Sequence, residues 1–142
     1  MELDRNGLEV LDRAECLRLV AASTLGRLAL SSGALPLILP VNFLLDRDRI
    51  IVRTSPGSKL DAAVANAVVA FEVDDIDALS HSGWSVSITG LAREVTDPAD
   101  VAHIAALPLA HWSHADGHVI AISTDLVSGR RLLAAGQTRS AS

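Results

Sequence analysis

The stretch from Arg49 to Leu60, Arg-Ile-Ile-Val-Arg-Thr-Ser-Pro-Gly-Ser-Lys-Leu, concentrates groups able to hold an anion. Arg49, Arg53 and Lys59 occur there with no acid between Asp48 and Asp61. Lys59 is the only lysine among twelve basic residues, the other eleven being arginines. It falls where a strand ending at Thr54 gives way, through Ser55-Pro56-Gly57, to a helix expected over Ser58 to Asn66. A loop-to-helix junction offers free backbone N–H groups and the positive end of a helix dipole. Thr54, Ser55 and Ser58 add hydroxyls, and Gly57 permits a tight turn. These are the parts of a phosphate cradle, with a planar fork from Arg53 and a point charge from Lys59. The plainer reading is a charged turn capped by Ser58, and spacing alone leaves both open.

Other groups carry weaker signals. In Leu35 to Phe43, Leu-Pro-Leu-Ile-Leu-Pro-Val-Asn-Phe, Pro40 cannot donate to a ladder, so the stretch is an edge or a bulge. With Asn42 exposed it could offer backbone groups to a flat heterocycle, or it could be a kinked core strand. Gly83 to Gly90 alternates Trp84, Val86 and Ile88 with Ser85, Ser87 and Thr89, whose hydroxyl stripe faces a cofactor or solvent. His111, His114 and His118 recur at spacings of three and four, but Asp116-Gly117 interrupts them and no partner ligands stand nearby, so a histidine-bearing loop is expected rather than a metal site. His81, beside Gly83-Trp84, reads as a loop histidine or a pocket residue. Cys16 reads as a small core residue. No nucleophile elbow, P-loop or paired-carboxylate motif is present, so any redox chemistry must come from a bound cofactor.

The elements that would position these groups are mostly strands. A leading helix is expected over Leu8 to Ser23, with Asp12 as a cap and Glu15 three residues on. Strands follow at Arg27 to Leu30 and Leu35 to Leu45 around a Ser31-Ser32-Gly33 turn. The tip Asp46-Arg47-Asp48 then leads into Arg49 to Thr54. Further strands are expected at Val68 to Val73, Trp84 to Val95, Val119 to Ser123 and Ser128 to Leu133. A helix is expected from Asp97-Pro98 to Leu107, and the acidic run Glu72, Asp74, Asp75, Asp77 reads as a solvated loop. Hairpin linkage favours an antiparallel sheet, and closure into a small barrel removes its edges.

Composition bounds the rest. The chain has 142 residues, 49% hydrophobic and 20% charged, with a net charge of −5. That is enough for one domain with its own core, expected over residues 1–133, followed by a polar tail at 134–142. The acidic balance and scarce aromatics argue against nucleic acid. The uncharged run Leu28 to Leu45 contains Pro36 and Pro40, which would break a membrane-spanning helix. A single cysteine excludes an internal disulfide, and the acidic start does not read as a signal peptide, so a cytoplasmic setting is expected.

Taken in order, the leading helix, Gly26-Arg27-Leu28-Ala29, Leu39-Pro40-Val41-Asn42-Phe43, Arg53-Thr54 with Gly57-Ser58-Lys59-Leu60, Val69-Ala70-Phe71-Glu72-Val73, Gly83-Trp84-Ser85-Val86 with Gly90, and Ser128-Gly129-Arg130-Arg131 form a recognisable set. The set resembles the pyridoxamine 5′-phosphate oxidase-like family of FMN-binding split barrels. The similarity is to the small bacterial branch that includes nitroimidazole-resistance-type proteins, and it runs from about Leu8 to Leu133. The resemblance implies a mainly β fold with flanking helices, a six-stranded antiparallel Greek-key split barrel. It also implies a homodimer with FMN at the interface. By position, Arg53, Ser58 and Lys59 would hold the phosphate, and Pro40, Val41, Asn42 and Thr54 would contact the ring system. Trp84 and Ser85 would reach the flavin bound by the other subunit, and Arg130 or Arg131 could contribute from the last strand. The implied function is a flavin-dependent oxidoreductase transferring hydride to or from a small molecule. The alternatives are a flavin-binding carrier or sensor without turnover, and a deazaflavin-dependent reductase; some relatives bind haem. The chain lacks the extended C-terminal arginine–histidine pattern of the vitamin-making oxidase, so pyridoxine phosphate oxidation is not expected.

Overall fold

A computed structural model describes residues 1–55, 57–58, 61, 66–108 and 117–133. The expected helix at Ser58 to Asn66 falls mostly outside these residues, as do Lys59, His111, His114 and the tail at 134–142.

The chain opens with β1 (Glu9–Leu11) and α1 (Arg13–Ala21). Asp12 caps α1 by accepting from the Glu15 N–H at 2.8 Å, as its sequence position suggests. The helix does not extend back to Leu8, however. Glu9 to Leu11 pair with the last strand, and ladder bonds to that strand outweigh a frayed first turn. β2 (Leu25–Ser32), β3 (Leu35–Asn42), β4 (Leu44–Asp46) and β5 (Arg49–Thr54) follow as hairpins. Arg47 and Asp48 both take positive φ (51° and 59°), the conformation a two-residue hairpin turn demands.

Next comes β6 (Ala67–Asp77), paired along its length with β7 (Ser82–Glu94). This corrects the expectation for the acidic run: Glu72, Asp74, Asp75 and Asp77 lie within β6, not in a loop. Glu72 and Asp74 stay in a strand because alternation sends them outward, where Arg27 of β2 lies 3.3 Å and 3.1 Å away. α2 (Pro98–Ala105), capped by Asp97, β8 (His118–Ser123) and β9 (Leu126–Leu132) complete the order.

All described strands join one antiparallel sheet in the order β3-β2-β6-β7-β8-β5-β4, with β9 beside the first half of β7 and β1 beside β9. β3 and β4 sit at opposite ends of that path, yet a single residue, Phe43, separates them in sequence. The sheet therefore curls until its margins meet. Counted as one interrupted strand, β3 and β4 complete the six-stranded barrel, with β1 and β9 added outside it.

The barrel interior is aliphatic, filled by Leu28, Ile50, Val52, Val86, Ile88, Ile120 and Ile122. Phe43 packs edge-on against Phe71 at 4.8 Å, a geometry worth roughly 0.5–1.5 kcal/mol beyond burial. Cys16, Leu19 and Val20 of α1 extend this core. A second cluster forms on the outside of the barrel, where Ile104 of α2 covers Ile51 of β5. Both faces of β5 are thus buried. The uncharged run Leu28 to Leu45 is only partly so, since Leu35 and Ile38 of β3 are 69% and 70% exposed.

Candidate functional site

β5 and the strand formed by β3 and β4 set the geometry. Leu44 pairs with Ile51 and Asp46 with Arg49. Continued by the same register, Asn42 would face Arg53 and Pro40 would face Ser55. The β4–β5 ladder stops at Leu44, because β3 turns away to pair with β2, with Asn42 against Leu25 and Pro40 against Arg27. Past Leu44, β5 and β3 are therefore not paired with each other, which leaves a gap in the described strand pairing between their C-terminal ends. Pro40, Val41 and Asn42 lie on one lip, Arg53 and Thr54 on the other.

Alternation divides these residues. Val41 turns toward the core, while Pro40 and Asn42 turn outward. Thr54 is buried on the side of Ile50 and Val52, whereas Arg53 shares the outer side with Ile51 and stands opposite Val119 of β8. The Nε of Arg53 is buried and has no hydrogen-bond partner among the described residues. A buried donor on a guanidinium is costly unless an acceptor outside the described residues satisfies it, and an anion is one group that would do so.

Beyond Thr54 the chain makes a turn, with the Ser58 N–H donating to the Ser55 carbonyl at 3.1 Å. Gly57 takes a φ of 74°, open to glycine without strain. The hub of the turn is Asp61, which the sequence reading left out. Its Oδ1 accepts from the Thr54 hydroxyl at 2.8 Å and lies 2.6 Å from His118 Nδ1. Its Oδ2 accepts from the Gly57 N–H at 3.1 Å, and its own N–H donates to Ser58 Oγ at 3.0 Å. The Thr54 hydroxyl, with the Gly57 and His118 contacts behind it, holds the Asp61 carboxyl below the usual range. The Asp61 carboxylate in turn raises the His118 imidazole. Gly117 lets β8 begin against this group, for a Cβ there would overlap the Thr54 carbonyl oxygen. A Ser-x-x-Asp spacing at 58–61 was the available signal for Asp61. His118, grouped with a metal-like histidine cluster in the sequence, instead spends Nδ1 on a carboxylate.

The remaining expected residues lie elsewhere. Trp84 and Ser85 occupy the start of β7, against Asp75 and Asp74 of β6 and Arg131 and Arg130 of β9. Ten residues of strand, roughly 33 Å of path, separate Trp84 from Glu94 at the end that meets His118. Within one chain they do not join the β3–β5 gap. Arg130 is paired with Asp4 (3.0 Å), and Arg131 with Glu9 (3.3 Å) and Glu15 (3.0 Å). His81 sits in the β6–β7 turn with a φ of 54°.

A separate cavity of about 570 Å³ lies beside α2, lined in part by Arg49, Arg93, Asp97, Asp100 and Asp125. Its Arg49 is already neutralised by Asp46 (2.9 Å) and Asp100 (2.8 Å), and Asp46 also accepts from His103. That network ties α2 to the β4–β5 hairpin, and the Nε of Arg49, like that of Arg53, is buried with no partner among the described residues.

Residues 12–131 match the family model for pyridoxamine 5′-phosphate oxidase, and the chain belongs to that family. Among its relatives is an uncharacterized protein of Mycobacterium tuberculosis, 42% identical over 133 residues, covering 90% of this chain and 88% of that one. The solved FAD-binding protein from Mycobacterium smegmatis is 33% identical, with a TM-score of 0.77 over 87% of this chain and 97% of that one. The FAD- and haem-binding protein from the same organism, at 19% identity and a TM-score of 0.69 over 92% of this chain and 75% of that one, shares the fold.

Proposed function

We propose that the protein binds a flavin nucleotide in the β3–β5 gap and acts as a flavin-dependent oxidoreductase on a small molecule. The observation that carries this reading is the Nε of Arg53 at the end of β5, buried with no partner among the described residues, beside a hydroxyl-bearing turn. Arg53 would hold the phosphate together with Ser58 and Lys59. Ser58 Oγ already accepts from the Asp61 N–H, so its own hydrogen remains to be donated. Pro40, Val41, Asn42 and Thr54 would border the ring system. A bound flavin supplies hydride exchange; the chain's part is to grip the anionic tail, orient the ring and keep water from one face. No side chain is assigned as acid or base. The fold matched to a 33%-identical FAD-binding protein supports a flavin. FMN is the first reading, since the cradle accounts for one phosphate, and that relative favours FAD as the second. A deazaflavin phosphate would suit the same cradle.

We also propose a homodimer with the cofactor at its interface. The outward residues Ile38, Ala29, Ala70, Thr89 and Leu126 form one row across β3, β2, β6, β7 and β9. Beside the row lies a pocket of about 310 Å³ containing Arg27, Glu72 and Ser87. A second copy would bring its own Trp84 and Ser85 to a site they do not reach within one chain.

The test is the absorbance spectrum of freshly purified protein, followed by titration with FMN, FAD and a deazaflavin. Tight FMN or FAD binding with repeated reduction by NAD(P)H and reoxidation by an acceptor supports the proposal. Binding without turnover identifies a carrier or sensor. Failure to bind any of the three refutes the flavin assignment.

A further inference from the structure

The turn proposed to hold a phosphate contains a carboxylate, Asp61, which should repel that phosphate unless something offsets it. Asp61 is bonded directly to the backbone and side-chain groups of the turn it stabilises, including Gly57 and Ser58. Its side chain is 14% exposed, so solvent does little to screen it. His118 is the cation placed to offset it, at 2.6 Å, and Glu94 of β7 adds a second acid 3.3 Å from the same Nδ1. Arg53 and Thr54 of β5 stand opposite Val119 and His118 in the ladder.

We propose that Asp61 and His118 act as a pair of positioning residues for the phosphate-binding turn, and that His118 in its charged form sets how strongly the turn holds a phosphate. The proposal rests on the flavin-nucleotide reading and deepens it. Asp61 shapes the turn by accepting from Gly57 and Thr54 and by using the Ser58 lone pair, which leaves the Ser58 hydrogen for the ligand. His118 keeps Asp61 in place and cancels its charge. The Asp61 carboxylate raises the imidazole, with Glu94 contributing, so the cation persists toward neutral pH. Above that titration the imidazole is neutral, the Asp61 carboxylate stands in the turn without an offset, and phosphate affinity falls.

The experiment compares FMN with riboflavin, which has the same ring system and no phosphate, by fluorescence titration between pH 6 and pH 9. FMN takes its second phosphate charge near pH 6, so the readout is the difference between wild type and variants. In the wild type, the preference for FMN over riboflavin should drop severalfold as pH rises from about 6.5 to 9. His118→Gln should have a low preference throughout that range and no such drop. His118→Lys, which keeps a cation, should retain a higher preference than wild type at pH 8.5. Asp61→Asn should lower FMN affinity about tenfold while leaving riboflavin affinity unchanged; thermal melts establish that each variant is folded at the assay temperature. An unchanged FMN-to-riboflavin ratio in Asp61→Asn and His118→Gln overturns the proposal while leaving flavin binding intact, as does a pH drop that persists in His118→Gln. A wild type that binds neither flavin overturns both.

Discussion

Arg53 shows why a single side chain can outweigh a motif. Its charge alone is unremarkable among eleven arginines, and its buried Nε without a partner among the described residues is shared with Arg49; what sets Arg53 apart is that no described carboxylate pairs with it and that it stands beyond the last β4–β5 pair. Arg53→Ala is expected to weaken flavin-nucleotide binding by about 1.5–3 kcal/mol, the scale of a lost charged hydrogen bond, or roughly ten- to hundredfold in Kd. Lys59→Ala should do the same. Riboflavin binding should change little in either variant, and calorimetric titration of both ligands checks this. The concentration of cations and hydroxyls at residues 49–60 was legible because residue type and local spacing suffice to show it, whereas its proposed role as a phosphate cradle came from the family resemblance. Asp61 and His118 were not legible, because fifty-seven positions separate them and only the β5–β8 pairing brings them together.

The element scale explains the acidic run. A cluster of four carboxylates suggests water and a loop, but strand alternation and the full-length partnership with β7 override composition over Ala67–Asp77. The outcome has an electrostatic cost. Glu72 and Asp74, two residues apart, share one face and one arginine. Burial, together with the hydrogen bond and like charge of Asp74, pushes the Glu72 carboxyl up to about 7, against the pull of Arg27. The sign follows from linkage. The native state keeps the proton to higher pH than the unfolded chain, so stability declines as pH rises from about 4.5 to about 7. Glu72→Gln should therefore raise Tm at pH 8 and leave it nearly unchanged at pH 4.5. Melting curves at the two pH values measure the difference, and equal shifts would contradict the assignment. The leading helix was misjudged at its start for a related reason. Leu8 to Leu11 suit a helix locally, but β9 offers Glu9 to Leu11 a ladder that no local pattern reveals.

At the scale of the whole molecule, hairpin spacing and turn chemistry revealed most of the barrel. The family resemblance supplied the six-stranded Greek-key barrel, while the split of the Leu35 to Leu45 run into β3 and β4 at opposite ends of the sheet depends on long-range pairing that no local pattern reveals. The outer face of the sheet carries exposed apolar side chains. Ile38 and Val68 are each 70% exposed, and Leu126 is 68% exposed. Apolar side chains gathered on one face of a sheet mark an interaction surface. Ala70→Arg, between Ala29 and Thr89 on that face, should convert the proposed dimer to a monomer. It should also weaken flavin binding, since Trp84 and Ser85 of a second copy would be lost. Sedimentation velocity with and without cofactor decides this, and a wild-type monomer that binds flavin tightly would refute the shared site.

Pro36 and Pro40 have one more consequence. Each stands opposite a β2 residue, Ser31 and Arg27, in a ladder that a proline tolerates only with its nitrogen turned away from the partner strand. The outer margin of β3 is therefore missing two of the hooks on which another strand would catch. A ribbon as greasy as Leu35 to Asn42 would otherwise be a natural seed for fibrous polymer; with those two rings in place its margin resists adding further strands.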